Sequence, residues 1–323
     1  MQGQVVRTLV PTIFLSLFGV AAGAAETMRA IVVVDGKVQL QSIPRPDPQP
    51  GQVRIKVRAV SVNPVDWKII ARAAPGTKVI PGRDLSGVID AVADQGGPWK
   101  VGQAVIAVAP GGSYVEYAIS PVTAVAAKPE KVSFEEAAGM PIVGETAWRA
   151  MVTVANVQAG QRVLIHGGAG GVGSSAVQIA KARGAYVIAT ASPSHNNLLR
   201  SLGADEVLDY NSVRFEDKVK DLDVVLNTVD ADTGVRSIGV IKPGGIFVSV
   251  VGPPPDAQCA AARVRCAVTG SATGEMLGHV SELAAQGKLH VPIDRKMALA
   301  DAAQALDLNR QGHTGGKIIL EVR

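Results

Sequence analysis

Apolar residues along this chain fall in short runs, and the spacing of those runs changes near residue 149. Before that point the runs are separated by frequent Gly and Pro and predict strands at 30–34, 53–60, 87–93, 104–109 and 114–119. Strands at this spacing, with turn residues between them, predict a partly open β-barrel. Pro44, Pro46, Pro48 and Pro50 mark an extended connection within it. Ser133 and Glu136, ahead of an alanine-rich run, form a capping box that opens a helix near Phe134. After residue 149, strands at 163–166, 187–190, 206–208, 224–227 and 246–251 alternate with helical stretches. That alternation predicts an α/β, doubly wound parallel sheet. Lys242-Pro243-Gly244-Gly245 reads as the turn into the strand at 246–251. The tail ends in a strand after Gly315-Gly316 with no helix behind it, which suits a return to the first domain.

The run Val163-Leu164-Ile165-His166 leads into Gly167-Gly168-Ala169-Gly170-Gly171-Val172-Gly173. Gly168, Gly170 and Gly173 give Gly-x-Gly-x-x-Gly, followed by a small-residue, helix-competent run at 174–181 and an apolar run at 186–189. Strand, glycine turn, helix and strand form the first unit of a dinucleotide-binding domain. Glycines let the backbone approach a pyrophosphate, and the helix N-terminus aims its N–H groups at the anion. Gly168, Ala169, Gly170, Gly171, Val172 and Gly173 are therefore the expected phosphate-binding positions.

The end of the next strand selects the dinucleotide. An NAD site carries an acid about 20 residues past the first glycine, accepting from the ribose 2′-hydroxyl. Here that place reads Thr190-Ala191-Ser192, so a 2′-phosphate meets no repulsion. Ser192, Arg200 and Tyr210 are near enough in sequence to supply donors or charge, and the expected cofactor is NADPH. Each has a structural alternative. Ser192 before Pro193 also fits an N-cap, Arg200 a solvated helix face, and Tyr210 packing beside Val207 and Leu208. Asn227, Thr228 and Val229 follow the fourth strand, and Gly252 ends the next, at the carboxyl-end crevice where such sheets bind ligands. His166 reads as a structural histidine, and Ser174 and Ser175 lack the His/Asp support of a nucleophile elbow.

The 323 residues allow two domains, and 47% hydrophobic with 19% charged content suits a large core. A net charge of +4 without a Lys/Arg run gives no sign of nucleic-acid binding. The first 25 residues combine Arg7, an apolar stretch from Leu9 to Val20, and Ala22-Gly23-Ala24. They read as a cleavable secretory signal, too short for a comfortable membrane span and leaving none after removal. The alternative is a start at Met28, which opens directly into a strand. The first reading places the protein in the periplasm or outside the cell, the second in the cytoplasm, where NADPH is held. Cys259 and Cys266 have no Cys-x-x-Cys spacing and no adjacent His, so a metal site is not expected. They could pair in an oxidising compartment, or serve as small core residues in a reducing one.

With these landmarks in place, the chain resembles the zinc-free quinone oxidoreductase branch of the medium-chain dehydrogenase/reductase superfamily over nearly all of residues 28–323. The resemblance rests on Val62-Asn63-Pro64-Val65-Asp66-Trp67-Lys68, Pro81-Gly82-Arg83-Asp84-Leu85-Ser86-Gly87 and Gly112-Ser113-Tyr114-Val115-Glu116-Tyr117. Ala137-Ala138-Gly139-Met140-Pro141, the glycine loop and Leu202-Gly203-Ala204-Asp205 extend it. After the leader at 1–25, it implies a GroES-like catalytic domain around a Rossmann domain: catalytic residues 26–148, Rossmann residues 149–287, and a return segment at 288–323. It implies NADPH in the cleft, a homodimer, and reduction of quinones or α,β-unsaturated carbonyls, small-molecule substrates. It also places Asn63 and Thr146 beside the nicotinamide as candidate catalytic residues, and Lys317 near the cofactor, although Lys317 also suits a solvated strand. The zinc alcohol dehydrogenases carry a Cys in the region of Asn63 to Asp66 and His-Glu where Arg83-Asp84 stand, so alcohol oxidation is not expected. The tyrosine that many relatives carry soon after the Asn-Pro motif is missing. Asp66 and Lys68 are substitutes for it or simply a surface ion pair. An enoyl reductase for a tethered substrate and a non-catalytic NADPH-binding sensor are the competing readings.

Overall fold

The structure is a computed structural model that describes residues 26–312 and 314–322. The expected leader at 1–25 lies outside the described residues.

The first domain begins with a hairpin of β1 (Thr27–Val34) and β2 (Lys37–Pro44). It continues through β3 (Gln52–Ser61), α1 (Pro64–Arg72), β4 (Asp84–Val92), β5 (Ala104–Val108), β6 (Tyr117–Pro121) and β7 (Val125–Ala127). Two helices close it, α2 (Phe134–Ala138) and α3 (Pro141–Trp148). Ser133 caps α2 by accepting from the Glu136 amide at 3.1 Å, one half of the expected capping box, while the Glu136 carboxylate turns away to accept from the Val291 amide at 3.3 Å. A π-helical segment, Arg149–Val154, follows α3 without a break, so the two domains meet in one continuous helix.

The second domain contains β8 (Arg162–His166), α4 (Gly171–Ala182), β9 (Tyr186–Ala191), α5 (Asn196–Ser201), β10 (Glu206–Asp209) and β11 (Leu222–Asn227). It then runs through α6 (Ala231–Ser237), β12 (Ile241–Ser249), α7 (Asp256–Ala262), β13 (Arg265–Val268) and α8 (Leu277–Ala285). Its six strands are all parallel, in the order β10-β9-β8-β11-β12-β13. The order reverses between β8 and β11, the switch point where ligands bind in such sheets. Both faces are covered, which explains the unbroken apolar runs. Ile165 and Leu226 pack with Ile179 on one side, while Leu164 and Val225 pack with Phe247 on the other.

The tail does return. From β14 (Ile293–Ala298) through α9 (Ala302–Gln311) to β15 (Lys317–Glu321), it rejoins the first domain, where β15 pairs antiparallel with β3. The resulting sheet runs β14-β15-β3-β4-β5-β7, with β6 also on β3, and forms the partly open GroES-like unit. Its core includes Ile31, Ile55, Leu85, Ile89 and Leu320, each worth roughly 1.5–3 kcal/mol by removal from water.

Three expectations need correction. The strand expected at 114–119 begins at Tyr117, because the amides of Ser113 and Tyr114 both turn to the Pro81 carbonyl. Tyr114 is thereby left as a buried loop residue. Lys242-Pro243-Gly244-Gly245 does not precede its strand but bulges from within β12: Ile241 pairs with Leu222 and Ile246 with Val224. The Gly244 amide leaves the ladder for the Arg263 carbonyl at 2.8 Å. Finally, Asp66 and Lys68 make no surface ion pair. Asp66 is fully buried, whereas Lys68 is exposed with its ammonium 5.4 Å from the centre of the Trp67 ring.

Candidate active site

The glycine loop joins β8 to α4 at the switch point. Its left-handed residue is Gly167 (φ +69°), just ahead of the Gly-x-Gly-x-x-Gly glycines. Gly168 donates to the Thr190 carbonyl at 2.9 Å, Gly170 is the N-cap of α4, and Gly171, Val172 and Gly173 form its first turn. Ala169 is buried against the Rossmann core. A Cβ on Gly173 would lie 2.1 Å from the Gly167 carbonyl oxygen, so only glycine permits this close approach. The exposed tip at Gly170 and the free N–H groups of α4 fit a pyrophosphate.

Ser192, Tyr210, Asn227, Thr228, Val229 and Gly252 lie at or just past the carboxyl ends of strands of the same sheet. Ala191 pairs with Asp209 at the ends of β9 and β10, so Ser192 and Tyr210 are the first residues beyond two neighbouring strands, and the Tyr210 amide reaches the Ala191 carbonyl. Ser192 sits at an N-cap position, but its hydroxyl bonds Ser194 and the His195 Nδ1 instead of capping. Tyr210 is 58% exposed, which removes the packing alternative. Arg200 lies on the exposed face of α5. Asn227 is buried and bridges the Asp230 carbonyl and the Val229 amide, shaping the loop. Thr228 donates to the His166 carbonyl at 2.7 Å, leaving Val229 exposed beside the crevice. Gly252 lies just beyond β12 at that end of the sheet. His166 is buried between Thr190 and Ser237, and burial lowers its pKa to about 4, helped by the Arg236 charge. It is a neutral core histidine, as the sequence suggested.

The first domain contributes a buried polar cluster where Asn63, Asp66, Asp84, Tyr114 and Lys317 meet. Asn63 opens α1 and is 2% exposed. Its Nδ2 donates to Asp84 Oδ2 at 2.8 Å, and its Oδ1 accepts from Lys317 Nζ at 2.6 Å. Lysine is only a donor and a carboxylate only an acceptor, so the orientation of the amide is fixed. Lys317 also donates to the Val62 carbonyl at 2.9 Å, while Ser61 and the Ile142 amide donate to Asp84. Asp66 Oδ2 accepts from the Asn63 amide and the Tyr114 hydroxyl, and its Oδ1 is buried without a partner. Lys317 is 5% exposed, which rules out the solvated-strand alternative.

Burial dominates the electrostatics here. It pushes Asp66 up to about 7, against the Asn63 amide and with the repulsion of Asp84. It raises Asp84, opposed by the charge of Lys317, and lowers Lys317, opposed by Asp84 and Asp66. Tyr114 is held well above its ordinary value by burial and then by Asp66, so it stays a neutral donor.

Thr146 is half-buried on α3, beside the fully buried Glu145. Glu145 accepts from the Thr273 and Gly274 amides at 3.0 and 2.6 Å, pinning the loop after β13 to α3. The sequence reading missed Glu145 and Tyr114. An acid inside the mostly apolar run of α3 was the available sign of the first, while the second needed contacts between distant segments.

The N-terminal part, residues 49–130, matches the alcohol dehydrogenase GroES-like domain, and residues 202–320 match the zinc-binding dehydrogenase family. An NAD(P)H oxidoreductase of Danio rerio mitochondria is 30% identical, with 84% of each chain covered. The 2-methylene-furan-3-one reductase of Solanum lycopersicum is 34% identical over 85% of this chain and 73% of its own. The solved quinone oxidoreductase of Coxiella burnetii superposes with a TM-score of 0.82 at 31% identity, over 92% of this chain and all of that one. The chain belongs to the medium-chain dehydrogenase/reductase superfamily, in its quinone oxidoreductase branch. It is an NAD(P)H-dependent oxidoreductase built from a GroES-like and a Rossmann domain.

Proposed function

We propose that this protein is an NADPH-dependent, zinc-independent reductase that delivers hydride to a quinone or an α,β-unsaturated carbonyl. The observation that carries the cofactor choice is the end of β9, where Ser192 follows the strand in place of an acid and the exposed Tyr210 follows the neighbouring β10. Two hydroxyls suit a 2′-phosphate, which a carboxylate at Ser192 would repel. The substrate class rests on the relatives, which include a quinone oxidoreductase and a furanone reductase.

Zinc independence is supported by the donor set. The places of the zinc ligands in the alcohol dehydrogenases hold a neutral amide, a guanidinium and an aspartate already bonded within the protein, at Asn63, Arg83 and Asp84. The Lys317 ammonium, 2.6 Å from Asn63 Oδ1, supplies the positive charge there. These residues do not fit a zinc ion. When bound, the nicotinamide supplies the hydride. The chain's part is to hold the pyrophosphate at the α4 N-terminus and to orient the two reactants, which is most of what this transfer needs. Thr146 on α3 is the proposed contact to the nicotinamide ribose.

A homodimer is supported by the open edge at β13, where Val268 is 50% exposed. Work outside the cytoplasm is favoured by the bonded cysteines, Cys259 and Cys266, since disulfides persist mainly in oxidising compartments. Among the described residues no helix is long and apolar enough to cross a membrane. The deciding experiment is NADPH consumption by protein starting at Met28, offered a simple quinone and then a 2-alkenal, with NADH in parallel. Turnover with NADPH on either acceptor supports the reading, and faster use of NADH overturns the cofactor choice. Tight NADPH binding without turnover would favour a sensor.

A further inference from the structure

We propose that Lys317 is a positioning residue that couples the cofactor helix α4 to the start of α1, acting through the Asn63 amide and anchored by Asp84. The proposal rests on the reading that a dinucleotide binds at the glycine loop.

Lys317 touches both domains. Its aliphatic stem runs beside the first turn of α4, where a Cβ on Gly171 would lie 3.2 Å from Lys317 Cδ. Its ammonium reaches the other way, to the Val62 carbonyl and Asn63 Oδ1. The far side of the same amide donates to Asp84 Oδ2. Ammonium, amide and carboxylate thus form one line, with Asn63 as the bridge. Both ends of that bridge are buried ionisable groups of opposite sign, and hydrogen bonds to such groups are the stronger kind when they are charged. The carboxylate is fixed in turn by Ser61 and by the Ile142 amide at the start of α3.

Asn63 is also the residue from which α1 grows. Pro64 occupies the first helical position, and Asp66 Oδ2 accepts from the Asn63 amide at 2.9 Å. Any shift of Lys317 is therefore passed to α1. A ligand that settles on Gly170 and Gly171 restrains the lysine stem, and through it the helix that carries Trp67 and Ile70. This arrangement leaves Asn63 with both polar atoms engaged inside the protein. Its part in the reaction is to hold α1 in place.

The test is hydrogen exchange of the α1 amides with and without NADPH, read beside the NADPH dissociation constant from nicotinamide fluorescence. Neither measurement needs turnover, so failure of the coupling is distinguishable from failure of the reductase reading. In the wild type, saturating NADPH is expected to slow exchange at 65–70 by about tenfold, a coupling of roughly 1.4 kcal/mol. Lys317→Met is expected to abolish that protection while weakening NADPH by no more than about threefold. Asp84→Asn, which keeps the shape and removes the anchoring charge, is expected to do the same and serves if Lys317→Met does not fold. Loss of NADPH affinity by tenfold or more with protection intact would make Lys317 a cofactor ligand and overturn the proposal. So would a wild type whose α1 does not respond to NADPH, or variants that keep the response.

Discussion

Gly173 approaches Gly167 so closely that a Cβ on Gly173 would lie 2.1 Å from the Gly167 carbonyl oxygen. The obstructing atom is backbone, so no rotamer change relieves it. Gly173→Ala must push α4 away from β8 and spoil the cradle its N–H groups form. The expected result is a loss of NADPH affinity of at least about tenfold, with the thermal midpoint changed far less. Fluorescence titration measures the first and a melting curve the second. An alanine variant that binds NADPH like the wild type would remove the glycine loop from the cofactor site.

Two buried groups give stability opposite slopes with pH. Asp66 rises from 3.8 to about 7 on folding, so between those values the folded state holds the proton and the unfolded state does not. Its contribution is complete below about pH 4 and is lost as pH rises through 7. His166 falls from 6.5 to about 4, so the unfolded state is the more protonated in that window, and stability climbs with pH. In the wild type the two offset each other. Asp66→Asn removes the first and exposes the second, steepening the rise between pH 4 and 6.5 by up to about 1.4 kcal/mol per unit. Urea unfolding across that range reads it directly. Parallel curves for the two proteins would mean that Asp66 does not change its protonation on folding.

Much of this architecture was legible because it is written locally. The glycine loop follows an apolar strand and opens a helix, and Ser133 with Glu136 announces α2. Each depends on residues a few positions apart. The β1–β2 hairpin was half missed because β2 has no buried residue: Lys37, Gln39 and Leu40 are exposed, and Val38 and Gln41 only half-buried. The active-site cluster was legible only in part, without Tyr114 and without its arrangement. Asn63, Asp66, Asp84 and Lys317 could each be named, yet burial decides what they do. Asp66 resembled one half of a surface pair until Tyr114, 48 positions away, covered it. No periodicity reports such a contact.

Ser192 gives a direct test of cofactor choice. It is the first residue beyond β9, at the carboxyl edge of the sheet, where an acid would accept from a ribose 2′-hydroxyl and repel a 2′-phosphate. Ser192→Asp is expected to lower the ratio of kcat/KM for NADPH to that for NADH by at least about tenfold, mainly through the KM for NADPH. An unchanged ratio would place the 2′-phosphate elsewhere on this edge.

The Cys259–Cys266 bond ties α7 to the edge strand β13 across a separation of seven residues. Closing a loop of that size stabilises by about 2.5 kcal/mol on the chain-entropy account. The paired variant Cys259→Ser with Cys266→Ser should melt lower by about 5 °C, and reductant should lower the wild type similarly while leaving the variant unchanged. A wild type that ignores reductant and shows free thiols when denatured would mean that the bond does not form. Because β13 is also the open edge proposed to meet a second copy, loosening it has a second consequence. Sedimentation should show the variant dissociating at higher protein concentration than the wild type. If melting falls while self-association does not, the bond stabilises the Rossmann domain alone, and the dimer is built on another face.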